Sequence, residues 1–181
     1  MRFMLATLIA AGPALANACP APPDHSEELT KLLQAVQAAP TEFDGRQISL
    51  EMWKLWADAP DEKAQDLLDE GMSRRASFDY DGAVKALDAL VTYCPDYAEG
   101  YNQRAFVNFL REEYEAALPD LDRAISLSPR HVAAIAGQAL TLAALGRNGE
   151  AATKLRMALA LNPWLTERHM LPQLEKGAQD L

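Results

Sequence analysis

Two cysteines, Cys19 and Cys94, are the residues of this sequence best suited to covalent chemistry. An even number of cysteines favours a disulfide in a protein that leaves the cytoplasm. Such a bond would attach the proline-rich segment CPAPPD, which begins at Cys19, to the segment around Cys94. The alternative is one exposed and one half-buried thiol, and the sequence leaves both equally open. A redox-active pair is not predicted, because the C-x-x-C spacing is missing.

The three histidines, His25, His131 and His169, do not stand at metal-ligand spacing from one another or from cysteines and carboxylates. His131 and His169 lie near the ends of predicted helices, so both are predicted to be surface or helix-end residues. The motifs G-x-S-x-G, H-E-x-x-H and the P-loop do not occur. We therefore predict no catalytic residues, no metal and no cofactor, and the same absences argue against a concealed hydrolase or redox activity.

The first residues have the pattern of a secretory signal peptide. Arg2 precedes an apolar run over residues 3–11, a Gly-Pro break and the small-x-small sequence Ala-Leu-Ala at 14–16. Residues 1–16 are predicted to be removed on export to the periplasm, and losing Arg2 takes the formal net charge from −9 to −10. Cleavage after Ala18 is an alternative. Lipidation of Cys19 is another, although the preceding residues match a lipobox poorly. No later segment is apolar enough to span a bilayer.

Composition favours an acidic, helical domain. The 181 residues are 49% hydrophobic and 24% charged, which is enough apolar content for one sizeable core. Alanine and leucine are abundant and β-branched runs are missing, as is typical of helical proteins. The negative net charge argues against nucleic acid as a partner, because phosphate binding requires a basic face.

A 34-residue repeat organises the elements that position these residues. Pro95, Pro129 and Pro163 recur at this interval, and apolar residues align in the same register. Two aligned positions, which we call small columns, hold small residues: Gly71, Ala105 and Ala139 at one, and Ala83, Ala117 and Ala151 at the other. Two further positions, the large columns, hold large apolar residues: Leu87, Leu121 and Leu155 at one, and Val91, Ile125 and Leu159 at the other. Each unit is predicted to be a helix hairpin in which a polar turn joins two helices and the proline ends the second helix.

With these columns the chain resembles the tetratricopeptide repeat family over three units, 64–97, 98–131 and 132–165. The second unit matches best, through Tyr101, Ala105, Tyr114, Ala117, Leu121, Ala124 and Pro129. The first departs from the family pattern at Leu90 and the third at Asn148. The resemblance implies an all-α fold: an α-solenoid of helix-turn-helix hairpins in a right-handed superhelix, with capping helices.

The segments outside the three units are predicted to cap them, because terminal repeats are atypical. Residues 17–28 form a proline-rich arm, 29–63 a degenerate hairpin of the same kind that covers the first unit, and 166–181 a C-terminal cap or tail.

A tryptophan pair and an internal proline bear on how individual helices pack. Trp53 and Trp56 stand three residues apart in the degenerate hairpin and are predicted to lie in its core, with a ligand platform as the alternative. Pro119 falls inside a predicted helix and is expected to kink it, because proline removes a backbone hydrogen bond.

The resemblance also implies a binding surface. In this family the first helices of successive units line an inner groove. Seven matching positions are candidates for partner binding: Leu68, Met72, Arg75, Asn102, Phe106, Phe109 and Leu140. One subgroup holds the C-terminal carboxylate of chaperones with charged or amide side chains. The corresponding residues here are Leu68, Met72, Gln103, Ala133 and Gly137. None of them is charged, so that activity is not predicted.

The function implied is a non-enzymatic interaction module or scaffold in the bacterial cell envelope, with an unidentified protein or peptide partner in the groove. The alternative is a structural protein that associates into homo-oligomers, with its own N-terminal hairpin or C-terminal tail filling the groove. The sequence leaves both open.

Overall fold

A computed structural model describes residues 18–178, which form helices and connecting turns without a strand. The predicted signal peptide, 1–16, lies outside the described residues, as do residues 179–181. Two helices come first, α1 (Ser26–Gln37) and α2 (Glu42–Trp56). Three hairpins follow: α3 (Glu62–Ala76) with α4 (Tyr80–Tyr93), α5 (Ala98–Leu110) with α6 (Tyr114–Leu127), and α7 (Val132–Ala144) with α8 (Asn148–Leu161). A 3-10 turn (Thr166–Met170) leads into α9 (Leu171–Gly177).

The three hairpins stack side by side, which confirms the predicted all-α solenoid. Each second helix contacts the first helix of the next hairpin, and the first helices α3, α5 and α7 contact one another in order. Small residues allow this close packing. Ala83, Ala117 and Ala151 are completely buried. A Cβ atom added to Gly71 would lie 2.7 Å from the Leu87 side chain, so a larger residue there would separate the two helices of the first hairpin.

Each hairpin turns through one residue in the left-handed region, and these three residues are also 34 apart. They are Phe78 (φ 63°), Glu112 (φ 62°) and Gly146 (φ 74°). The residue after each one donates its N–H to a carbonyl five residues earlier, as Asp79 does to Arg74 at 2.9 Å. The same turn is therefore built three times, although only Gly146 adopts the conformation without a steric penalty.

The predicted capping unit, 29–63, covers the first repeat only through its last residues, because its helices α1 and α2, the N-terminal hairpin, pack against the third repeat. Leu29, Leu33, Val36 and Met52 of these two helices form one cluster with Val132, the first residue of the third repeat, and with Leu161, Trp164 and Leu165 at its end. Polar contacts cross the same interface, including an ion pair between Arg168 and Glu42 at 2.6 Å. The first repeat is covered instead by the short segment after α2, through Ala57 and Ala59. The hairpin therefore extends across the molecule from the first repeat to the third.

The arm that precedes α1 is joined to the first repeat by a disulfide. Cys19 and Cys94 are bonded, with their Cα atoms 5.1 Å apart, and Cys94 is the C-cap residue of α4. The arm is shorter than predicted, because α1 begins at Ser26 and not after residue 28.

The C-terminal segment covers the third repeat. Leu174 of α9 packs against Leu142 and Leu155. Pro172 occupies the first turn of α9, where the backbone N–H groups have no partner within the helix, so proline removes no hydrogen bond there.

Pro119 is the sixth residue of α6, and the helix continues through it. Within residues 18–178, every helix is too short or too polar to traverse a bilayer.

Candidate functional site

A pocket of about 380 Å³ opens on the inner face of the solenoid, and we call it the groove pocket. The first helices of the three repeats supply most of its lining. Its walls are completed by Trp53 of α2, Leu121 of α6, Leu165 at the end of the third repeat and Glu167 just after it. The pocket is thus built by the repeats together with both flanking segments.

Five of the seven candidate residues come together in the groove pocket: Arg75, Asn102, Phe106, Phe109 and Leu140. The other two do not. Leu68 is completely buried in the core of the first repeat, so its assignment to the groove was wrong. Met72 lines a separate shallow pocket beside α2. The reason is that Ala57 and Ala59, in the segment after α2, pack into the same core as Leu68.

The floor of the groove pocket is aromatic and carries one cation. Phe106 keeps 44% of its surface exposed, and Phe109 is half-buried with its ring edge-on to Tyr114. The Arg75 guanidinium lies 4.7 Å from the centre of the Phe106 ring, a favourable cation–π position. Burial lowers the pKa of Arg75 and outweighs the opposing effect of Glu99, although the group remains charged at any physiological pH.

A chain of buried polar side chains runs under the pocket. Arg75 donates to Gln103 Oε1, and Gln103 donates to Glu99 Oε1 at 2.5 Å. Asn102 donates to the other oxygen of Glu99 at 3.1 Å. The same oxygen lies 2.8 Å from His131 Nε2. The Glu99 carboxylate therefore accepts hydrogen bonds from three side chains, as a buried charge requires.

His131 is completely buried, so the prediction of a surface position was wrong, while its position at a helix end was right. It is the N-cap of α7, and its Nδ1 accepts the Ala134 N–H. Because Nδ1 accepts, Nε2 carries the proton and donates to Glu99. The signal that sequence reasoning missed is the repeat register: Tyr97 holds the same position one unit earlier and is also buried.

The two tryptophans of α2 have different environments. Trp56 stacks on the His131 ring, with centroids 4.3 Å apart and planes 13° apart, and Tyr97 donates its hydroxyl to the Trp56 carbonyl at 2.9 Å. Burial raises the pKa of the Tyr97 phenol, so it stays a donor. Trp53 is 38% exposed and lines the groove pocket. The core prediction therefore holds for Trp56 and was wrong for Trp53.

The arrangement is suited to binding. Among the residues that the structure describes, no three His, Cys, Asp or Glu side chains come close enough together to hold a metal ion. The lining of the groove pocket combines rings, aliphatic side chains, a guanidinium, amides and the Glu167 carboxylate, and such a mixture of apolar surface with a few polar groups is typical of ligand sites.

Comparison with known proteins gives partial matches in sequence. No family model matches the chain. The chain is 35% identical over 66 residues to a TPR repeat-containing protein of Rhizobium etli. The aligned region covers 36% of this chain and 32% of that protein. The chain spans about a third of the length of the curated relatives it matches.

Solved structures match over more of the chain. The TPR2B domain of yeast Sti1, in a pHsp70 complex, superposes with a TM-score of 0.59 and 25% identity, covering 67% of this chain and all of that domain. The first TPR of Spaghetti (RPAP3), bound to the HSP90 peptide SRMEEVD, gives a TM-score of 0.63 at 21% identity, covering 65% of this chain and 94% of that one. At that identity the second match concerns the fold alone.

Proposed function

We propose that this chain, a tetratricopeptide repeat protein, is a non-enzymatic interaction module that binds a peptide segment or partner helix in the groove pocket. The observation that carries the proposal is the exposed aromatic floor of the pocket, with Phe106 as its most accessible ring. The TPR2B domain of yeast Sti1, solved as a pHsp70 complex, supports a role in binding. Its partner is not carried over to this chain, because the fold alone does not specify a ligand.

We also propose that the module acts in the bacterial cell envelope. Two observations support this location. Residues 1–16 have the pattern of a cleavable signal peptide, and the Cys19–Cys94 disulfide suits an oxidising compartment. Expression in a bacterium with an intact export pathway tests it. The expected product starts at Asn17 or Cys19 and is released by osmotic shock, whereas retention of residues 1–16 in the cytoplasm would contradict export.

Photo-crosslinking tests the binding site. A photoreactive phenylalanine analogue replaces Phe106, and the cells are irradiated before the envelope is extracted. The matched control carries the analogue at Phe78, which is 79% exposed on a hairpin turn outside the groove pocket. We expect a discrete partner band from position 106 only, lost when Phe109→Glu is added to a protein that still has its helical circular dichroism. The same bands from both positions, or no band, would contradict a groove site.

A second candidate function, self-association, is favoured by one observation. Phe43 and Leu50 of α2 are 64% and 54% exposed and lie outside the groove pocket, and exposed apolar patches mark interfaces. Sedimentation of the oxidised protein tests it. A dimer that Leu50→Lys converts to a monomer would favour self-association, and a monomer at all concentrations would exclude it.

A further inference from the structure

A second concave surface, which we call the α2 pocket, lies beside the groove pocket. It encloses about 560 Å³, and α2 supplies one side of it. The opposite side is formed by Val132 and Ala133 at the start of α7 and by Asn162 and Leu165 after α8. The two pockets share Trp53, Ala133 and Leu165. The α2 pocket is thus a separate concavity that meets the groove pocket along one edge.

The rim of the α2 pocket exposes apolar side chains of α2. Phe43, Leu50 and Trp53 are 64%, 54% and 38% exposed, and their spacing of seven and three residues puts them on one face of the helix. Met52 is 1% exposed and packs into the core that joins α2 to the third repeat. Because α2 has apolar residues on a buried face and also on an exposed one, it keeps a surface for a further contact.

The polar groups beneath the α2 pocket are already paired within the chain. Asn162 is 1% exposed, donates to Ser49 at 2.9 Å and accepts the Trp164 N–H at 3.0 Å. Ser49 donates in turn to the Gly45 carbonyl at 2.7 Å. Since these hydrogen bonds are made without a ligand, the floor of the pocket offers mainly carbon surface. A ligand that fits it is apolar where it meets the floor.

Arg46 carries the one formal charge among the described residues that line the α2 pocket. Its guanidinium lies 3.7 Å from one oxygen of Glu42, and Arg168 binds the other oxygen at 2.6 Å. Two guanidinium groups therefore share one carboxylate, which leaves a net charge of +1 on the three side chains. His169, which also acts on Glu42, can only add positive charge.

The other charged groups near the rim do not cancel this excess. Lys54 and Glu51 pair with each other at 2.8 Å. Asp44 precedes Arg46 by two residues, which places it on nearly the opposite side of the helix. Glu167 lines the groove pocket, beyond the edge that the two pockets share. The α2 pocket therefore combines an apolar floor with an incompletely matched cation at its rim.

We propose that the α2 pocket binds one molecule of an anionic amphiphile, a single acyl chain that ends in a carboxylate. The chain packs against Phe43, Leu50 and Trp53, and the carboxylate binds Arg46 through charge-assisted hydrogen bonds. This site is separate from the groove pocket and does not depend on the peptide binding proposed above.

A second copy of the chain and a bilayer surface fit the same face less well. In a two-fold pair a concave face meets its own copy, which leaves a void without packing contacts and brings two Arg46 guanidinium groups together. A flat anionic bilayer meets a wide area of a chain whose formal net charge is −9, whereas a single amphiphile meets only the charge at the rim.

Isothermal titration calorimetry tests the proposal with the oxidised, exported chain and dodecanoate below its critical micelle concentration. We expect one site per chain. Decanoate, which is two CH₂ groups shorter, should bind about tenfold more weakly. Dodecyltrimethylammonium has the same chain length and a cationic head group, and it should also bind about tenfold more weakly or not at all.

Two pairs of variants locate the ligand. Arg46→Gln should weaken dodecanoate binding about fivefold or more and bring the affinities of the two head groups together, whereas Arg156→Gln, on α8, should change Kd less than about twofold. Phe43→Ala should weaken binding about threefold or more. Its control is Phe78→Ala, which removes an exposed ring from a hairpin turn outside the pocket and should have no effect.

Four results would overturn the inference. The first is no binding, equal binding of the two head groups, or equal losses in a variant and its control. The second is loss of dodecanoate binding in Phe109→Glu, which would place the ligand in the groove pocket. The third is a dimer that Leu50→Lys dissociates and dodecanoate does not, which would show that a second copy covers the face. The fourth is sedimentation with phosphatidylglycerol vesicles without binding of monomeric dodecanoate, which would make a membrane surface the occupant.

Discussion

At the scale of residues, the pair of Glu99 and His131 is the most constrained feature of the inner face. Both side chains have no exposed surface and lie 2.8 Å apart. His131 caps α7, stacks on Trp56 and donates to Glu99. Because each partner satisfies the other in a region without solvent, the loss of one leaves the other with an unmet hydrogen bond or charge.

We predict that His131→Ala lowers the free energy of unfolding by about 3 to 5 kcal/mol, because it leaves the Glu99 carboxylate buried without one of its three donors. Urea denaturation followed by circular dichroism measures the change. His169→Ala is the control, since His169 is exposed, and it should change stability by less than about 0.5 kcal/mol. Equal effects of the two variants would show that the buried pair contributes nothing.

Asp61 makes stability depend on pH in the acid range. Its carboxylate accepts the Tyr93 hydroxyl at 2.6 Å and the Ala64 N–H at 2.8 Å, so it caps α3 and joins it to α4. These hydrogen bonds, with that of Tyr93 the stronger cause, hold the pKa of Asp61 below its ordinary value of 3.8. A depressed carboxyl pKa stabilises the fold above pH 3.8, and this contribution is lost as pH falls through the folded-state value.

We predict that Asp61→Asn makes the loss of stability below about pH 4 less steep than in the natural chain. Thermal melts over this acid range measure the slope. Asp66→Asn is the matched control, because it removes the same charge from an exposed site of the same helix without removing a cap. If both variants change the slope equally, general charge repulsion and not the cap causes the acid sensitivity.

At the scale of elements, the helix hairpins could be predicted from the sequence, but the surface on which the N-terminal hairpin packs could not. The three repeats have local signals: a proline after each second helix, small residues where helices cross, and polar turns between the helices. The N-terminal hairpin has an apolar face, but its partner, around Trp164 and Leu161, lies more than 100 residues away in the sequence. Nothing in the local pattern identifies which surface that face will meet.

We predict that Gly45→Ala weakens this docking, although alanine favours a helix more than glycine does. The added Cβ would lie 2.4 Å from the Trp164 ring, and overpacking of this kind costs about 1 to 3 kcal/mol. Hydrogen exchange in α1 and α2 should become faster. Gly149→Ala in α8 is the control, because its nearest contact is 3.6 Å away, and it should stabilise the chain by about 0.5 to 1 kcal/mol. Stabilisation by both substitutions would contradict the tight docking of α2.

At the scale of the whole molecule, the candidate site could be predicted only as far as the repeats build it. Family positions correctly brought Phe106, Phe109 and Leu140 to one surface. They misplaced Leu68, since the segment after α2 covers that part of α3. They also missed Trp53 and Glu167, because residues outside the repeats have no register to follow. The part of the pocket that the sequence did not predict is thus the part that depends on contacts between distant segments.

The disulfide is a covalent contact between two distant segments of the chain. It joins Cys19 to Cys94, 75 residues later, and the loop that it closes contains the N-terminal hairpin and most of the first repeat. Cross-linking a loop of this length limits the unfolded chain and typically stabilises a protein by about 2 to 4 kcal/mol. The bond also keeps the arm next to the end of α4, so that α1 starts close to the repeats that it must contact.

We predict that reduction lowers the free energy of unfolding by about 2 to 4 kcal/mol and speeds hydrogen exchange in the arm and α1 more than in α8. Oxidised and reduced forms of the natural chain should be compared, because serine at position 94 would bury a hydroxyl where the structure has a side chain with 1% exposure. The double variant Cys19→Ser, Cys94→Ser serves as the control for the reductant, which should leave it unchanged. Uniform acceleration of exchange along the chain would mean that the bond acts on the unfolded state alone. Acceleration confined to the arm and α1 would show that it also holds the N-terminal hairpin, and with it Trp53, against the repeats.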